Sequence, residues 1–348
     1  MTPLTQSEPL VATPSAAPEG RILFALASDE RNLFFPGELP DGAIWQDARG
    51  LGQASWNRLL ATHRPRVLVT GWTTPLLDSA LTTLAGQNGP VDYVCHASGS
   101  IRHVVTREQI AAGLKVTNWG TLVAPVVAEH ALLLIMASLR QLPAWRDHML
   151  LPPTAWRAQL LTRTLHGARV SIHGFGAIAR ELIRLLQPFN VTVTVYSAGV
   201  PEALIREHGA TPAASLHELA RHADIFVTCE ALTDLSRKSI NASVLAELAE
   251  GAVFVNVGRG AVADETDLIE AAQTRGLRIG SDVFQNEPLP PDSPFFSLPS
   301  AVLSPHIAGP TLDYFAACGR HSLQNIARYL AGEKPVGLIT PEIFDRST

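Results

Sequence analysis

Between residues 168 and 306 six short, almost continuously apolar runs recur: "ARVSIHG", "VTVTVYS", "ADIFVTC", "AVFVNVG", "LRIGSDVF" and "AVLSPH". Helix-like segments such as "AIARELIRLLQPF" and "ETDLIEAAQTRG" separate several of them. Apolar runs without alternation suit strands covered on both faces, and strand–helix alternation makes neighbouring strands parallel. The crossovers then put helices on both sides of one doubly wound sheet. An earlier set, "RILFALAS" (21–28), "RVLVTGW" (66–72), "VDYVCHAS" (91–98) and "GLKVTNWG" (113–120), has the same character and predicts a second sheet. The boundary falls near residue 122, where a long apolar helix begins, and a polar, Trp-containing connection around "PPTAWRAQ" leads into the central series. The helical spacing of "DYFAACGRHSLQNIARYLAGEKP", with its Gly/Pro stop, leaves a C-terminal segment able to return to the first domain.

Composition sets the remaining bounds. At 348 residues the chain exceeds what one core serves, so about two domains are expected. Hydrophobic residues at 46% against 17% charged can cover two sheets on both faces. A net charge of −5, with no Lys/Arg stripe interleaved with aromatics, argues against nucleic acid as a partner. Cys95, Cys229 and Cys318 are far apart and belong to no metal-binding spacing, which fits a reducing cytoplasm and no metal. The apolar run "LVAPVVAEHALLLIMASL" (122–139) carries Glu129 and His130 in its middle, so a buried helix is expected rather than a membrane span. Residues 1–20 lack a signal-peptide pattern and read as a flexible tail.

The segment "VSIHGFGAIARELIRLL" places Gly174, Gly176 and Ala179 in a G-x-G-x-x-A pattern between an apolar strand and a helix. Two glycines let the backbone turn tightly and approach a pyrophosphate, and Ala179 lets helix and strand pack closely. Ala177 and Ile178 then lie beside the phosphates, at N–H groups that favour an anion. This predicts a dinucleotide site. An acidic residue is expected at the end of the second strand to accept from the adenosine ribose, but "VYSAG" puts Ser197 there. A serine does not repel a 2'-phosphate and no arginine follows it directly, so NAD and NADP both stay open. His173, on the apolar strand before Gly174, reads as structural.

Three later strand ends carry chemistry. "VNVGRGAVADETDLIEA" sets Arg259 between two glycines, where a desolvated charge needs an anion, either a substrate carboxylate or a salt-bridge partner on a neighbouring strand. "GSDVFQNEPLP" brings Asp282 and Glu287, and "AVLSPHIAGP" brings His306 at the end of its apolar run. Alone, His306 reads as a buried core ring. Ligand sites in such sheets lie at the carboxyl ends of strands, however, and here successive ends supply a cation, a carboxylate and an imidazole.

Taken together, "ASGS" (97–100), "VAEHALLLIMASLR" (127–140), "GFGAIA", "NVGRGAV", "DVFQNEP" and "SPHIAG" resemble, in order and spacing, the D-isomer-specific 2-hydroxyacid dehydrogenases, whose members include formate and phosphoglycerate dehydrogenases and glyoxylate/hydroxypyruvate reductases. The resemblance spans nearly everything after the tail. It implies an α/β fold of two Rossmann-like domains, with a central doubly wound NAD(P)-binding domain (122–310) inserted into a flavodoxin-like substrate domain (21–121 and 311–348) and a cleft between them. It implies further that Arg259 binds the carboxylate and carbonyl of a small 2-keto acid, that Glu287 pairs with His306, and that His306 exchanges the proton at the C2 oxygen. The backbone of Ser98, Gly99 and Ser100 matches the loop that receives the substrate carboxylate. Asp282, Cys229, Val257 and Gly258 match positions on the nicotinamide side of the cofactor, with Gly309 beside it. A homodimer through the nucleotide domain is the family's usual assembly.

The chain departs from the family pattern in three places. "GSIRHVV" puts Arg102 and His103 in a loop that often continues with aspartate, "EALT" has Ala231 for a usual proline, and Ser197 replaces the acid. A competing expectation is a dinucleotide-sensing binding protein without catalytic activity, since a co-repressor branch of the family keeps the triad. Long extensions or peptide grooves would mark that branch, and the chain shows only a short N-terminal tail.

Overall fold

The computed structural model describes residues 22–82, 89–152, 154, 155, 160–221 and 223–346. The tail at 1–20 and most of the "PPTAWRAQ" connection lie outside the described residues. The chain forms two compact units, one running up to Trp119 and taking back Ala316–Pro341, the other spanning Gly120–Phe315 and the residues from Glu342 on. The sequence reading instead carried the first domain through 311–348.

In the first unit five parallel strands, β1 (Ile22–Ala25), β2 (Ala43–Gln46), β3 (Val67–Thr70), β4 (Tyr93–His96) and β5 (Lys115–Thr117), stand in the order β2-β1-β3-β4-β5. That is the flavodoxin-like order. Strands β1, β3 and β4 are buried along their whole length, as their apolar runs require. Strand β2 was not among the expected strands. It lies at the sheet edge and is half-exposed, and its apolar run, "AIW", is only three residues long between Gly42 and Gln46.

In the second unit β6 (Arg169–His173), β7 (Thr192–Tyr196), β8 (Thr211–Pro212), β9 (Ile225–Thr228), β10 (Val253–Asn256), β11 (Arg278–Ser281) and β12 (Val302–Leu303) form one parallel sheet ordered β12-β11-β10-β9-β6-β7-β8. The chain builds outward from β6 in one direction and then crosses to extend from β9 in the other, so the switch point lies between β6 and β9. Consecutive residues on one strand face opposite layers. Ile225, Val227, Val253 and Val255 pack with Ala131, Leu134, Ile135, Ala179, Leu182 and Leu186, from the helices Ala124–Arg140 and Ala177–Leu186. Phe226, Phe254 and Ile279 pack on the other side with Leu219, Leu268 and Phe295. Each buried Val, Leu, Ile or Phe among them contributes about 1.5–3 kcal/mol of transfer free energy, which is why both faces had to be apolar.

The segment at 122–139 is thus a helix packed on the sheet, and among the described residues no single helix is long and apolar enough to cross a membrane. Strand β8, a two-residue edge strand containing Pro212, also escaped the pattern reading. Strand β12 pairs through Val302 and Leu303 alone. His306 therefore does not end that strand, as the apolar run suggested, but lies beyond it in a turn.

Candidate active site

At the β6 end, Gly174 has φ +96°, and a Cβ there would stand 2.9 Å from the backbone nitrogen of Glu230. Only glycine meets both demands. Gly176 caps the helix Ala177–Leu186 with no side-chain cap, no acidic residue follows in the first turn, and the space where its Cβ would lie is open. The helix N-terminus, with the N–H groups of Ala177 and Ile178, therefore suits an oxyanion. Ala179 is fully buried against the sheet. This donor set fits the pyrophosphate of a dinucleotide.

Ser197 stands one residue beyond β7, half-buried, and its hydroxyl donates to Glu230 Oε2 at 3.5 Å. Burial, helped by the Glu230 carboxylate, pushes the Cys229 thiol up to about 12, so it stays a neutral, compact group. His173 is buried beside Thr228, and burial pushes it down to about 4, in keeping with a neutral structural ring.

Beyond β10, Val257 and Gly258 are buried and Arg259 is half-buried. Asn256 shapes this turn from within: its Oδ1 accepts from Gly258 N at 3.0 Å and its Nδ2 donates to the Arg259 carbonyl at 3.1 Å. A Cβ on Gly260 would stand 1.9 Å from the Phe284 carbonyl carbon, so only glycine lets the arginine turn lie against the next loop. Burial lowers the Arg259 guanidinium from its ordinary value, and the Glu287 carboxylate opposes that shift. The half-buried cation is therefore one that an anion stabilises.

Glu287 and His306 meet. Glu287 Oε1 accepts from Phe284 N at 2.9 Å, while Oε2 lies 2.5 Å from His306 Nδ1. A carboxylate only accepts, so Nδ1 carries the proton and Nε2 is the nitrogen left for other chemistry. The His306 side chain is 46% exposed, which rules out the core-ring reading. Its backbone has φ +56°, a left-handed conformation that costs a β-carbon-bearing residue about 1–2 kcal/mol.

The turn is held by Asp282, which is buried. Its Oδ1 accepts from Ser304 Oγ at 2.6 Å and from Ile307 N at 2.9 Å, its Oδ2 from Ala308 N at 2.9 Å, and its carbonyl from His306 N at 2.8 Å. His130, on the helix Ala124–Arg140, reaches Ser304 Oγ at 2.8 Å. Gly309 follows half-buried. Pattern reading singled out Asp282, but it missed Asn256, His130 and Ser304 as supports. A polar Asn closing an otherwise apolar strand was the available signal for Asn256. The contact between His130 and Ser304, 174 residues apart, had none.

In the first unit, Ser98 is fully buried and its hydroxyl bonds His96 Nε2 at 2.6 Å, so its side chain is used internally. Asn118 donates to the Gly99 carbonyl at 2.6 Å, fixing the loop that continues through Ser100. His103 bonds the Gly71 carbonyl at 3.1 Å, which anchors it locally, while Arg102 is exposed. Among the described residues no His/Cys/Asp/Glu group could hold a metal ion.

The D-isomer specific 2-hydroxyacid dehydrogenase NAD binding domain family matches residues 132–308, the stretch that contains the glycine turn and all three strand-end residues. The glyoxylate reductase of Aeropyrum pernix is 28% identical over 239 residues, covering 66% of this chain and 71% of that protein. The human glyoxylate reductase/hydroxypyruvate reductase is 29% identical over 238 residues, covering 68% of this chain and 72% of that one. In fold, the chain is similar to a solved glyoxylate reductase from Paecilomyes thermophila, with a TM-score of 0.76 at 20% identity, over 94% of this chain and 100% of that one. A dinucleotide turn and an imidazole–carboxylate pair thus lie within a matched NAD-binding domain, and the chain belongs to the D-isomer-specific 2-hydroxyacid dehydrogenases, oxidoreductases that work with a nicotinamide dinucleotide.

Proposed function

We propose that the chain interconverts a small 2-keto acid and its D-2-hydroxy acid, with His306 as general acid/base, Glu287 as its partner and Arg259 as the substrate-binding cation. The Glu287–His306 contact at 2.5 Å carries this reading. Glu287 accepts from Nδ1–H and so orients the ring, leaving Nε2 to give its proton to the carbonyl oxygen on reduction and take it back on oxidation. A nicotinamide dinucleotide, its pyrophosphate held at the Gly174–Gly176 turn and the N–H groups of Ala177 and Ile178, would supply the hydride chemistry at C2. Arg259 offers a planar fork of donors to the substrate carboxylate and draws electron density from the carbonyl. We assign the backbone of Ser98, Gly99 and Ser100 to the substrate carboxylate, as the family resemblance implies. Within the first unit that loop is held by the bond between Ser98 Oγ and His96 Nε2 and by Asn118, which donates to the Gly99 carbonyl.

The test is a panel of glyoxylate, hydroxypyruvate, pyruvate and phenylpyruvate, followed by NADH and NADPH absorbance, with chiral analysis of the product. Turnover of at least one acid to the D-isomer is expected. Dinucleotide binding without turnover of any acid would overturn the reading in favour of a co-repressor-like sensor.

We propose that the working form is a homodimer in the cytoplasm. Leu133, Met136, Trp145, Met149 and Leu150, on and after the helix Ala124–Arg140, are exposed, with Met149 at 84%, and a second copy would cover them. The unpaired thiols of Cys95, Cys229 and Cys318 suit a reducing compartment. Sedimentation equilibrium should give twice the chain mass, and a monomer at micromolar concentration would refute the dimer.

A further inference from the structure

The second strand of the nucleotide-binding sheet ends without the acid that a ribose diol calls for, yet a carboxylate reaches the same place from another strand. Glu230 follows β9, and β7 and β9 lie on either side of β6. Its backbone nitrogen borders the Gly174 turn, and its Oε2 lies 3.5 Å from Ser197 Oγ at the β7 end. Oε1 is held by Ala231 N at 3.1 Å, which fixes the carboxylate in this direction. The side chain keeps 22% of its surface exposed, beside neutral His173 at 3.9 Å, with no lysine or arginine acting on it among the described residues.

We propose that Glu230, with Ser197, takes the adenosine ribose hydroxyls and makes the chain select NAD over NADP. The inference rests on the dinucleotide-dependent reading above and adds the cofactor choice that Ser197 alone left open. A carboxylate accepts from two vicinal hydroxyls and is repelled by a phosphate on the 2' oxygen, whether it projects from the second strand or from its neighbour's neighbour. The Gly174 turn sets where the adenosine half enters, and Glu230 adjoins that turn directly.

The experiment measures equilibrium binding of NADH and NADPH by fluorescence, without any keto acid, on the wild-type chain, Glu230→Gln and the double variant Ser197→Asp/Glu230→Gln. NADH should bind the wild type at least about tenfold more tightly than NADPH, the separation expected from one nearby like charge. Glu230→Gln should erase the difference by weakening NADH and strengthening NADPH, and the double variant should restore it from the β7 side. Thermal unfolding checks that each variant is folded, and Glu230→Asp, which retracts the carboxylate by one methylene, should shift the ratio in the same direction by less. Equal affinities in the wild type, or a preference that survives Glu230→Gln, would overturn the assignment while leaving the dehydrogenase reading intact. Failure of the wild type to bind either dinucleotide would overturn both.

Discussion

His306 sits on the turn that follows β12, which ends at Leu303. The apolar run before it belongs to the sheet, but the ring stands outside, 46% exposed and clamped to Glu287. His306→Ala should leave NADH binding nearly unchanged and lower turnover on the order of 100-fold or more, the usual loss of a general acid/base. Turnover at the parent rate would end the assignment. Arg259→Lys keeps the charge and loses the fork, so KM for the 2-keto acid should rise about tenfold, equivalent to one charge-assisted hydrogen bond. An unchanged KM would make Arg259 a structural cation. Both residue types were legible in the sequence because a cation, a carboxylate and an imidazole following three successive strands are unusual. The left-handed backbone of His306 was not, since it arises from the bonds that Asp282 makes to residues 304–308.

At the scale of elements, the strands position the chemistry less directly than their apolar runs suggest. Strands β10, β11 and β12 end at Asn256, Ser281 and Leu303, and the reactive side chains lie on the turns that follow. Those turns are held by polar side chains aimed back into them, and Asn256 is the clearest case. Asn256→Ala would leave the buried Gly258 N–H without its acceptor, costing about 1–3 kcal/mol. A lower Tm together with a lower kcat is expected, because the arginine turn loosens as well. Full activity at reduced stability would show that the turn keeps its shape unaided. The G-x-G-x-x-A turn was readable because its conformational demand falls on residue types. Strands β2 and β8 were not, since edge strands need little apolar surface and leave little pattern.

For the whole molecule, burial of neutral histidines ties stability to pH. Burial pushes His96 down to about 3 in the first unit and His173 down to about 4 in the second, from an ordinary value near 6.5. Below about pH 6.5 the unfolded chain takes up protons that the folded chain refuses, so stability is full above that pH and falls as pH drops toward the folded values. Each histidine contributes about 1.4 kcal/mol per pH unit in that window. Urea unfolding at pH 7, 6 and 5 should show the decline, and His173→Asn should lessen it; a flat profile would contradict it. The sequence by itself determined the two parallel sheets, the dinucleotide turn and the residue types at three strand ends, because apolar periodicity and glycine's backbone freedom are local properties. Tertiary structure alone decided that Glu287 meets His306, that Asp282 and His130 brace the histidine turn, and that Glu230 stands beside Ser197. Those pairings cross 19 to 174 residues of chain, and their distances are set by strand order and packing rather than by any local propensity.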